Sequence, residues 1–338
     1  MSMHSNIGFS EKQYKIVLKK NILAFPYFWQ VPAETEKAAY ETILDSGIND
    51  QFDYLAFPWA TIIDGVRNDA SIAYEILINL KKASSVNSLG CKRRATVAQH
   101  IHADHFVDLF KACGITDLFW SHATKKISEI GGIRLHPFPL FPAQTPKGPT
   151  RNLPNNQRKY LANFIGAYNP SIYLSNVRDV ILKDTNKYGD LLIIKRGAWH
   201  FDRAVYQEQI RGVAPGEQKK LQEEAYKEEY LSAIKNSWFT LCPTGSGPNS
   251  IRIFESLCLG SIPIVLTKDL KLVGDETLWQ QACIIEEDSA DGYSRAIKLA
   301  RNAVHARRME LIENGRILVE KIKPSSFADI IIDAMKEH

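Results

Sequence analysis

Short apolar runs alternate with stretches of helical period along most of the chain. In the first half the apolar runs are Ile22–Phe25, Tyr54–Phe57, Ala95–Ala98, Leu118–Trp120 and Ile133–Leu135. Segments with helical spacing of apolar positions lie between them, near 33–44, 71–82 and 103–113. Alternating strands and helices are typical of a parallel sheet that is covered on both faces. The pattern therefore predicts a doubly wound α/β domain.

The segment Pro139–Asn156 (PLFPAQTPKGPTRNLPNN) has neither period and is rich in proline, glycine and polar residues. Such a composition predicts an interdomain linker. The alternation then restarts, with strands expected at 159–165, 191–195, 237–241, 262–266 and 282–285 and helices near 172–183, 216–235 and from 290 onward. We therefore expect a first domain over 1–145, a linker over 146–158 and a second doubly wound domain over 159–338, whose last helix can pack back on the first.

The composition fits two globular domains and excludes some functional classes. The chain has 338 residues, of which 45% are hydrophobic and 24% charged, more than one ordinary core requires. A net charge of +4 suits an anionic small ligand or an acidic membrane surface, but it does not indicate a nucleic-acid-binding stripe. No apolar run is long enough for a membrane span, and the N-terminal residues lack the apolar core of a signal peptide. These features predict a cytoplasmic protein, with peripheral contact to a membrane-linked acceptor as the remaining option.

The cysteines are odd in number and widely spaced in apolar surroundings. They are Cys91, Cys113, Cys242, Cys258 and Cys283. This arrangement predicts reduced core thiols rather than a disulfide framework.

The segment CPTGSGPNSIRIFE, residues 242–255, lies between two apolar runs and has the order strand, loop, helix. Gly245 and Gly247 allow a tight turn and close approach of a ligand, and Asn249 or Ser250 can cap the helix that follows. The free N–H groups and the dipole of a helix start attract anions, and ligands of open α/β sheets bind beyond the carboxyl ends of the strands. The loop is therefore expected to hold a phosphate.

The helix after this loop carries an arginine and a glutamate on one side. The apolar positions that should face the sheet are Ile251, Phe254, Leu257 and Cys258. Arg252 and Glu255 then lie together on the neighbouring side, where arginine can pair with phosphate and the carboxylate can accept hydrogen bonds from ribose hydroxyls. The alternative is an ordinary surface ion pair with i, i+3 spacing.

The region Ser237–Leu266 (SWFTLCPTGSGPNSIRIFESLCLGSIPIVL) resembles the carboxyl-terminal motif of the exostosin family of glycosyltransferases. The positions that match this motif are Ser250, Arg252, Glu255, Leu257, Gly260 and Pro263. Upstream, YLANFIG at 160–166 is similar to the first strand of the family's second domain. The segment RATVAQHIHADHFVDLFKACGITDLFWSH at 94–122 resembles first-domain segments of bacterial members. The chain thus resembles an exostosin-like glycosyltransferase of bacterial or viral type.

The resemblance implies two facing Rossmann-like domains, the GT-B arrangement, with a nucleotide-sugar in the second and the acceptor in the first. By this resemblance Glu255 would bind the ribose, and Arg252 the diphosphate. The other expected donor contacts are Thr244, Gly245, Ser246, Gly247, Asn249 and Ser250. Lys195 and Arg196 end a predicted strand and can also neutralise phosphate; the alternative is a basic loop that only meets water.

Glycosyl transfer with inversion needs a carboxylate or imidazole that takes the proton of the acceptor hydroxyl. Because second-domain groups would contact the donor, we expect this base at a strand end of the first domain, where Asp64 and His100 are the first choices. The alternative for Asp64 is a cap of the turn at Asp64-Gly65. Aromatic faces and polar groups at the same strand ends are expected to bind the acceptor, unless the aromatics only pack at the rim of the core. These acceptor candidates are Trp29, Trp59, His102, Asp104, Trp120 and His122.

The cluster His100, His102, Asp104 and His105 raises the question of a metal. Alternate spacing along a strand and loop is expected to scatter these side chains, and helix dipoles with basic groups can replace a cation. We therefore expect no metal and no cofactor, with the nucleotide-sugar as co-substrate.

Competing nucleotide-binding classes lack their motifs. No Gly-x-Gly-x-x-Gly links an early strand to a helix, as a dinucleotide oxidoreductase requires, and the loop lacks the Gly-Lys pair of a P-loop. The expected function is an inverting, metal-independent transfer of sugar from a nucleotide-sugar to a glycan or other hydroxyl acceptor, in polysaccharide or glycan biosynthesis. A non-catalytic, two-lobed sugar- or nucleotide-binding protein is the alternative.

Overall fold

The computed structural model describes residues 14–48, 52–84, 93–145, 158–197, 203–213 and 216–336. They form two separate, mostly parallel sheets, the first from strands that end by Pro137 and the second from strands that begin at Tyr160. Helices pack on both faces of each sheet. The predicted pair of Rossmann-like domains in the GT-B arrangement is confirmed.

The first sheet has seven strands. They are β1 Val17–Lys19, β2 Ile22–Ala24, β3 Asp53–Ala56, β4 Arg94–Ala98, β5 Asp117–Trp120, β6 Glu129–Ile130 and β7 Ile133–Pro137. The order is β1-β2-β3-β4-β5-β7-β6, in which the five predicted strands are parallel and β1 and β6 pair antiparallel at the two edges. Because the two edge strands are very short, their sequences carry no periodic signal.

In the described part of the first half of the chain, four helices pack on this sheet. They are α1 Thr35–Ser46, α2 Trp59–Arg67, α3 Ser71–Ser84 and α4 Val107–Ala112, the last preceded by a 3₁₀ turn at Ala103–Phe106. Trp59, Ile62 and Phe110 belong to the core under α2, α3 and α4, whereas Ala39 and Ile43 of α1 pack on the opposite face. Sequence analysis did not predict α2. The Ala60 N–H, in the first turn of α2, donates a hydrogen bond to the Glu36 carboxylate of α1. The start of α2 is thus capped by a side chain from another helix.

The second sheet has five parallel strands. They are β8 Tyr160–Gly166, β9 Leu191–Lys195, β10 Ser237–Pro243, β11 Ile262–Leu266 and β12 Ile284–Glu286. The order is β12-β11-β10-β8-β9, so the chain leaves β8 for β9 and then returns to the other side of β8 as β10. The strand order therefore reverses between β8 and β10, where open α/β sheets bind their ligands.

The helices of the second half are α5 Val177–Leu182, α6 Glu217–Lys235, α7 Ile251–Cys258, α8 Glu276–Ala282, α9 Ala290–Asn302, α10 His305–Ile322 and α11 Phe327–Lys336, with a π-helical segment at Arg203–Ile210. Side chains of β10 alternate between the faces: Phe239 and Leu241 belong to the core with α5 and α9, whereas Cys242 packs with α7, α8 and α10. In the described part of the chain, no helix is both long and apolar enough to cross a bilayer.

Helix α11 packs on the first sheet, although it follows the second in the chain. Phe327 joins the core that contains Phe138, with ring centroids 4.8 Å apart, and Met335 lies in the same core. The guanidinium of Arg93 donates to the Met335 carbonyl at 2.9 Å. The end of the described chain is therefore attached to the first domain. Most of the predicted linker, 146–157, lies outside the described residues, so the domain boundaries stay a prediction.

None of the described cysteines is part of a disulfide. Cys113, Cys242 and Cys283 are buried and Cys258 is partly buried, whereas Cys91 lies outside the described residues. Burial raises the pKa of Cys242 to about 12, so this thiol stays protonated at neutral pH and fits a packing role.

Candidate active site

The loop after β10 closes a tight turn at the point where the strand order reverses. The Gly245 N–H donates to the Gly247 carbonyl at 3.0 Å, and Leu174 N–H, from the segment after β8, donates to the Gly245 carbonyl at 3.0 Å. The N–H groups of Ser246 and Gly247 donate to no acceptor in the described part of the chain. Two consecutive free N–H groups at a glycine turn form an anion-binding concavity.

Arg178 of α5 lies beneath this turn and was missed by sequence analysis. Its Nε donates to the Thr244 carbonyl at 2.7 Å and its Nη1 to the Ala167 carbonyl at 3.3 Å, and the side chain is 5% exposed. Its guanidinium carbon lies 4.3 Å from the ring centroid of Tyr173. Burial, together with the positive charge of Arg252, lowers the pKa of Arg178 to about 9. In a Rossmann-like domain, the helix after the first strand begins at the ligand-binding edge of the sheet. The position of Arg178 near the start of this helix was the sequence signal that could have identified it.

Arg252 of α7 lies at the same edge of the sheet. Its Nη2 donates to the Ile165 carbonyl at 2.7 Å, and its guanidinium carbon lies 5.0 Å from the ring centroid of Phe164. Its Nε is buried without a hydrogen-bond partner in the described part of the chain. A β-carbon on Gly166 would lie 2.9 Å from this Nη2, so glycine at this position leaves the guanidinium its space.

Arg178 and Arg252 lie beside the glycine turn at the same edge of the second sheet, a region that we call the anion crevice, and neither forms a close ion pair in the described part of the chain. Among the described residues, no carboxylate oxygen lies within 4.0 Å of either Arg178 or Arg252. Their hydrogen-bond partners are backbone carbonyls. A buried cation without a close counter-ion costs considerable free energy, so the buried Arg178 beside the half-buried Arg252 favours a site for an anion.

The start of α7 adds to this site. Ser250 occupies the N-cap position, as one of the two predicted candidates, but its side chain makes no capping hydrogen bond. Asn249 instead connects the domains: its Nδ2 donates to the Ser121 carbonyl at 2.7 Å, and its Oδ1 accepts the Ser250 N–H at 2.8 Å. The first turn of α7 therefore begins without a side-chain cap at the anion crevice.

Glu255 does not lie where sequence analysis placed it. It is 0% exposed, and its oxygens accept hydrogen bonds from the Tyr230 hydroxyl at 2.6 Å and the Gln144 N–H at 3.0 Å. Burial raises its pKa to about 7, against the effect of these hydrogen bonds and of Arg252. Arg252 and Glu255, both described residues, form no ion pair within 4.0 Å, and Glu255 is not on the surface. The interpretation of these two residues as a surface ion pair is therefore wrong. The spacing of apolar residues identified the face of α7 that packs on the second sheet. It did not reveal that Tyr230 of α6 and the backbone at Gln144 cover Glu255 on another side of this helix.

The two basic residues at the end of β9 differ in their surroundings. Lys195 is exposed. Arg196 forms an ion pair with Glu229 of α6, and its guanidinium carbon lies 4.0 Å from the ring centroid of Tyr226. Arg196 is thus held on α6, and a donor contact for either residue stays a prediction.

Asp64 and His100, the two candidate bases, form a hydrogen-bonded pair. His100 Nε2 lies 3.0 Å from Asp64 Oδ1, and the Gln30 amide donates to Asp64 Oδ2 at 2.6 Å. The His102 N–H donates to His100 Nδ1 at 3.1 Å, so the proton of a neutral His100 ring lies on Nε2 and is donated to Asp64. Asp64 lies inside α2, and its carboxylate faces Gln30 and His100 rather than capping the turn at Gly65.

A buried polar network supports this pair. The Gln99 amide donates to the Gln30 side-chain oxygen at 2.9 Å, and the Gln99 N–H donates to the Glu36 carboxylate at 3.1 Å. Burial raises the pKa of Glu36 to about 8, against hydrogen bonds from the backbone of Gln99 and Ala60. Sequence analysis missed Glu36, Gln30 and Gln99, because their partners lie far away in the chain and no local spacing marks them.

Three of the six acceptor candidates are buried and do not line an open surface. Trp59 is 0% exposed, and its indole N–H donates to Thr96 Oγ1 at 2.7 Å. The indole N–H of Trp120 donates to the His100 carbonyl at 2.8 Å, and His122 is buried against the glycine loop. Each of these three follows a strand but turns into the core or the domain interface, and direct acceptor contact by them stays a prediction. The three partly exposed candidates are Trp29, His102 and Asp104.

The expectation that the side chains of His100, His102, Asp104 and His105 are scattered is also wrong in part. Ligating atoms of His102, Asp104 and His105 lie within 4.8 Å of one another, because the 3₁₀ turn brings these neighbouring residues together. The group is partly exposed, and the positive charge of Arg67 acts on His102, whose pKa is lowered mainly by burial. A nearby arginine also opposes the binding of a cation.

The two halves of the site meet directly at the glycine loop. A β-carbon on Gly247 would lie 2.6 Å from His122 Nδ1 and 2.7 Å from Ile101 Cγ2. Beside this contact, Thr124 and Leu270 form an antiparallel bridge between the domains. Burial lowers the pKa of His122 to about 3, so its ring is neutral at the interface. The segment that carries His100 is therefore in contact with the anion crevice.

Solved structures that match this chain do so at low sequence identity. TarM of S. aureus is 10% identical, with a TM-score of 0.45 over 90% of this chain and 59% of that chain. The pneumococcal O-GlcNAc transferase GtfA is 9% identical, with a TM-score of 0.43 over 89% of this chain and 59% of that one. OtsA is 11% identical, with a TM-score of 0.43 over 90% of this chain and 77% of that one. This chain thus spans less than two thirds of TarM and GtfA.

Among curated proteins, no sequence matches the chain significantly. The Exostosin GT47 domain, by contrast, matches residues 97–290, which is more than half of the chain. The match begins in β4, shortly before His100, and ends at the first residue of α9. It therefore includes the residues of the anion crevice. The chain belongs to the exostosin GT47 family of glycosyltransferases.

Proposed function

We propose that this glycosyltransferase takes its sugar from a nucleotide-sugar whose diphosphate lies between Arg178 and Arg252, and passes it to a hydroxyl group of a glycan. The observation that carries the proposal is the buried Arg178 guanidinium and the half-buried Arg252 guanidinium beside the glycine turn, neither of which forms an ion pair within 4.0 Å among the described residues. A diphosphate would supply both missing negative charges and would accept the free N–H groups of Ser246 and Gly247.

The same groups account for the leaving step without a metal. As the bond between the sugar and the diphosphate breaks, negative charge develops on the leaving oxygen. Two guanidiniums held in place by backbone carbonyls, together with the uncapped start of α7, would stabilise such charge, since their positions beside the glycine turn are already fixed. Metal-independent catalysis is therefore part of the proposal.

Asp64 is the base in this proposal, and His100 positions it. Both ring nitrogens of His100 are engaged in hydrogen bonds, whereas each Asp64 oxygen has a lone pair beyond its observed bond. The acceptor oxygen attacks the anomeric carbon, its proton passes to Asp64, and the bond to the diphosphate breaks on the opposite face of the sugar. A single displacement of this kind inverts the anomeric centre.

The test is a transfer assay with a panel of nucleotide-sugars and of free and lipid-linked glycan acceptors. Mass spectrometry of the acceptor should detect one added sugar and the released nucleoside diphosphate, with the same yield in excess EDTA. Nuclear magnetic resonance of the product should show the inverted anomer. A retained anomer or loss of activity in EDTA would contradict those parts of the mechanism. Tight binding of a nucleotide-sugar without transfer to any acceptor would favour the non-catalytic alternative.

A further inference from the structure

Asp288 brings a second carboxylate to the anion crevice. It follows β12, and its Oδ2 accepts a hydrogen bond from the Thr244 hydroxyl, at the first residue of the glycine loop. Its other oxygen, Oδ1, is buried and has no hydrogen-bond partner in the described part of the chain. The Thr244 backbone carbonyl also accepts from Arg178, so Asp288, Thr244 and the anion site are directly connected.

The unpartnered oxygen calls for a donor. A buried carboxylate oxygen that has lost its water and gained no hydrogen bond costs free energy, and a bound ligand that donates a hydrogen bond would remove this cost. Arg178 does not fill this role. The negative charge of Asp288 acts on Arg178, but no ion pair within 4.0 Å joins these two described residues.

A nucleotide-sugar carries suitable donors on its ribose. Glu255, which the family resemblance assigns to the ribose, is fully buried, and its oxygens already accept from Tyr230 and Gln144. Asp288 has an oxygen to spare and lies beside the turn that would hold the diphosphate. We propose that Asp288 accepts hydrogen bonds from the ribose hydroxyls of the donor, with the Thr244 hydroxyl orienting its carboxylate. This assignment rests on the proposed function.

The test compares three probes by calorimetry: inorganic pyrophosphate, a set of nucleoside 5′-diphosphates, and their 2′-deoxy and 3′-deoxy forms. The parent should prefer the intact ribose over at least one deoxy form. Asp288→Asn should weaken nucleoside diphosphate binding about tenfold and remove this preference, because a charged hydrogen bond is lost. Its affinity for pyrophosphate should change less than about twofold. Glu287→Gln, at the exposed neighbouring carboxylate, is the matched control and should behave like the parent.

The outcomes separate this inference from the proposed function. An unchanged ribose preference in Asp288→Asn overturns the inference and leaves the diphosphate site intact. Equal loss of pyrophosphate and nucleotide binding also overturns it, since Asp288 would then act through Arg178. A parent that binds neither pyrophosphate nor any nucleotide refutes the diphosphate site as well. If Asp288→Asn does not fold, Thr244→Val, which removes the orienting hydroxyl, should lose the same ribose preference.

Discussion

The His122 ring lies so close to Gly247 that a β-carbon on this glycine would be 2.6 Å from Nδ1. Gly247→Ala must therefore move His122 or separate the domains at the glycine loop. We expect it to lower the melting temperature by several degrees, since overpacking of this kind costs about 1 to 3 kcal/mol. Differential scanning calorimetry provides the measurement.

Gly245→Ala is the matched control two residues earlier. The nearest heavy atom to its new β-carbon would be Arg178 Nη2 at 3.8 Å, an ordinary contact. This variant should melt within about a degree of the parent, because it creates no clash. Equal melting temperatures for all three proteins would show that the domains are not in contact at this loop in solution.

Glu255→Ala should destabilise the fold rather than act only on donor binding. The change leaves the Tyr230 hydroxyl and the Gln144 N–H without their partner in a fully buried place. We expect a loss of about 2 to 3 kcal/mol in the free energy of unfolding, measured by urea titration. A fully stable Glu255→Ala variant would mean that this buried contact does not persist in solution.

The same carboxyl predicts a pH dependence. The pKa of Glu255 is raised from 4.5 to about 7 by burial, so between these values the folded state binds more protons than the unfolded state. Stability from this group is therefore present at low pH and is lost as pH rises from about 4.5 to 7. In urea titrations the parent should lose stability relative to Glu255→Gln across that window, by at most about 1.4 kcal/mol per pH unit. Parallel curves for the two proteins would rule out the raised pKa.

Asp64→Asn should reduce turnover and leave donor affinity unchanged, because the proposed donor contacts all lie in the second domain. Loss of a general base costs about a hundredfold to ten-thousandfold in kcat. Asp45→Asn, at an exposed position on α1, should keep full activity. Parental turnover in Asp64→Asn would place the base elsewhere.

His100→Ala should lower kcat less than Asp64→Asn does, because it removes the group that orients the carboxylate and leaves the carboxylate itself in place. Steady-state kinetics of the two variants beside the parent provides the measurement. A fall in kcat as large as that of Asp64→Asn would make His100 itself the base.

The strands and the glycine loop could be predicted from sequence because they depend on local period and local residue types. All strands expected in the two sheets form, and the loop lies at the reversal of the strand order. Helix α2 was not predicted, because a carboxylate from α1 caps it and no local cap marks its start. Helix α8 was not predicted either, because its apolar residues pack against α10 as well as the sheet.

The side-chain environments could not be predicted, since they depend on contacts between distant segments. Glu255 has the residue type and spacing of a ligand-binding carboxylate, yet α6 covers it. Arg178 looks like an ordinary helical arginine until the strand order places it under the glycine turn. The Asp64–His100 pair joins residues that no motif connects, although both were chosen separately for their chemistry.

The most direct test of the diphosphate site is calorimetric titration of nucleoside 5′-diphosphates into Arg252→Met, beside the parent and Arg301→Met, whose ion pair with Asp190 is remote from the crevice. If Arg252 serves to bind a phosphate, its removal should weaken nucleotide binding at least tenfold while changing the melting temperature without ligand only slightly, because the half-buried side chain forms no ion pair within the described part of the fold. Arg301→Met should bind like the parent. Parental nucleotide affinity in a destabilised Arg252→Met would contradict the account, since the arginine would then serve the fold and not the donor.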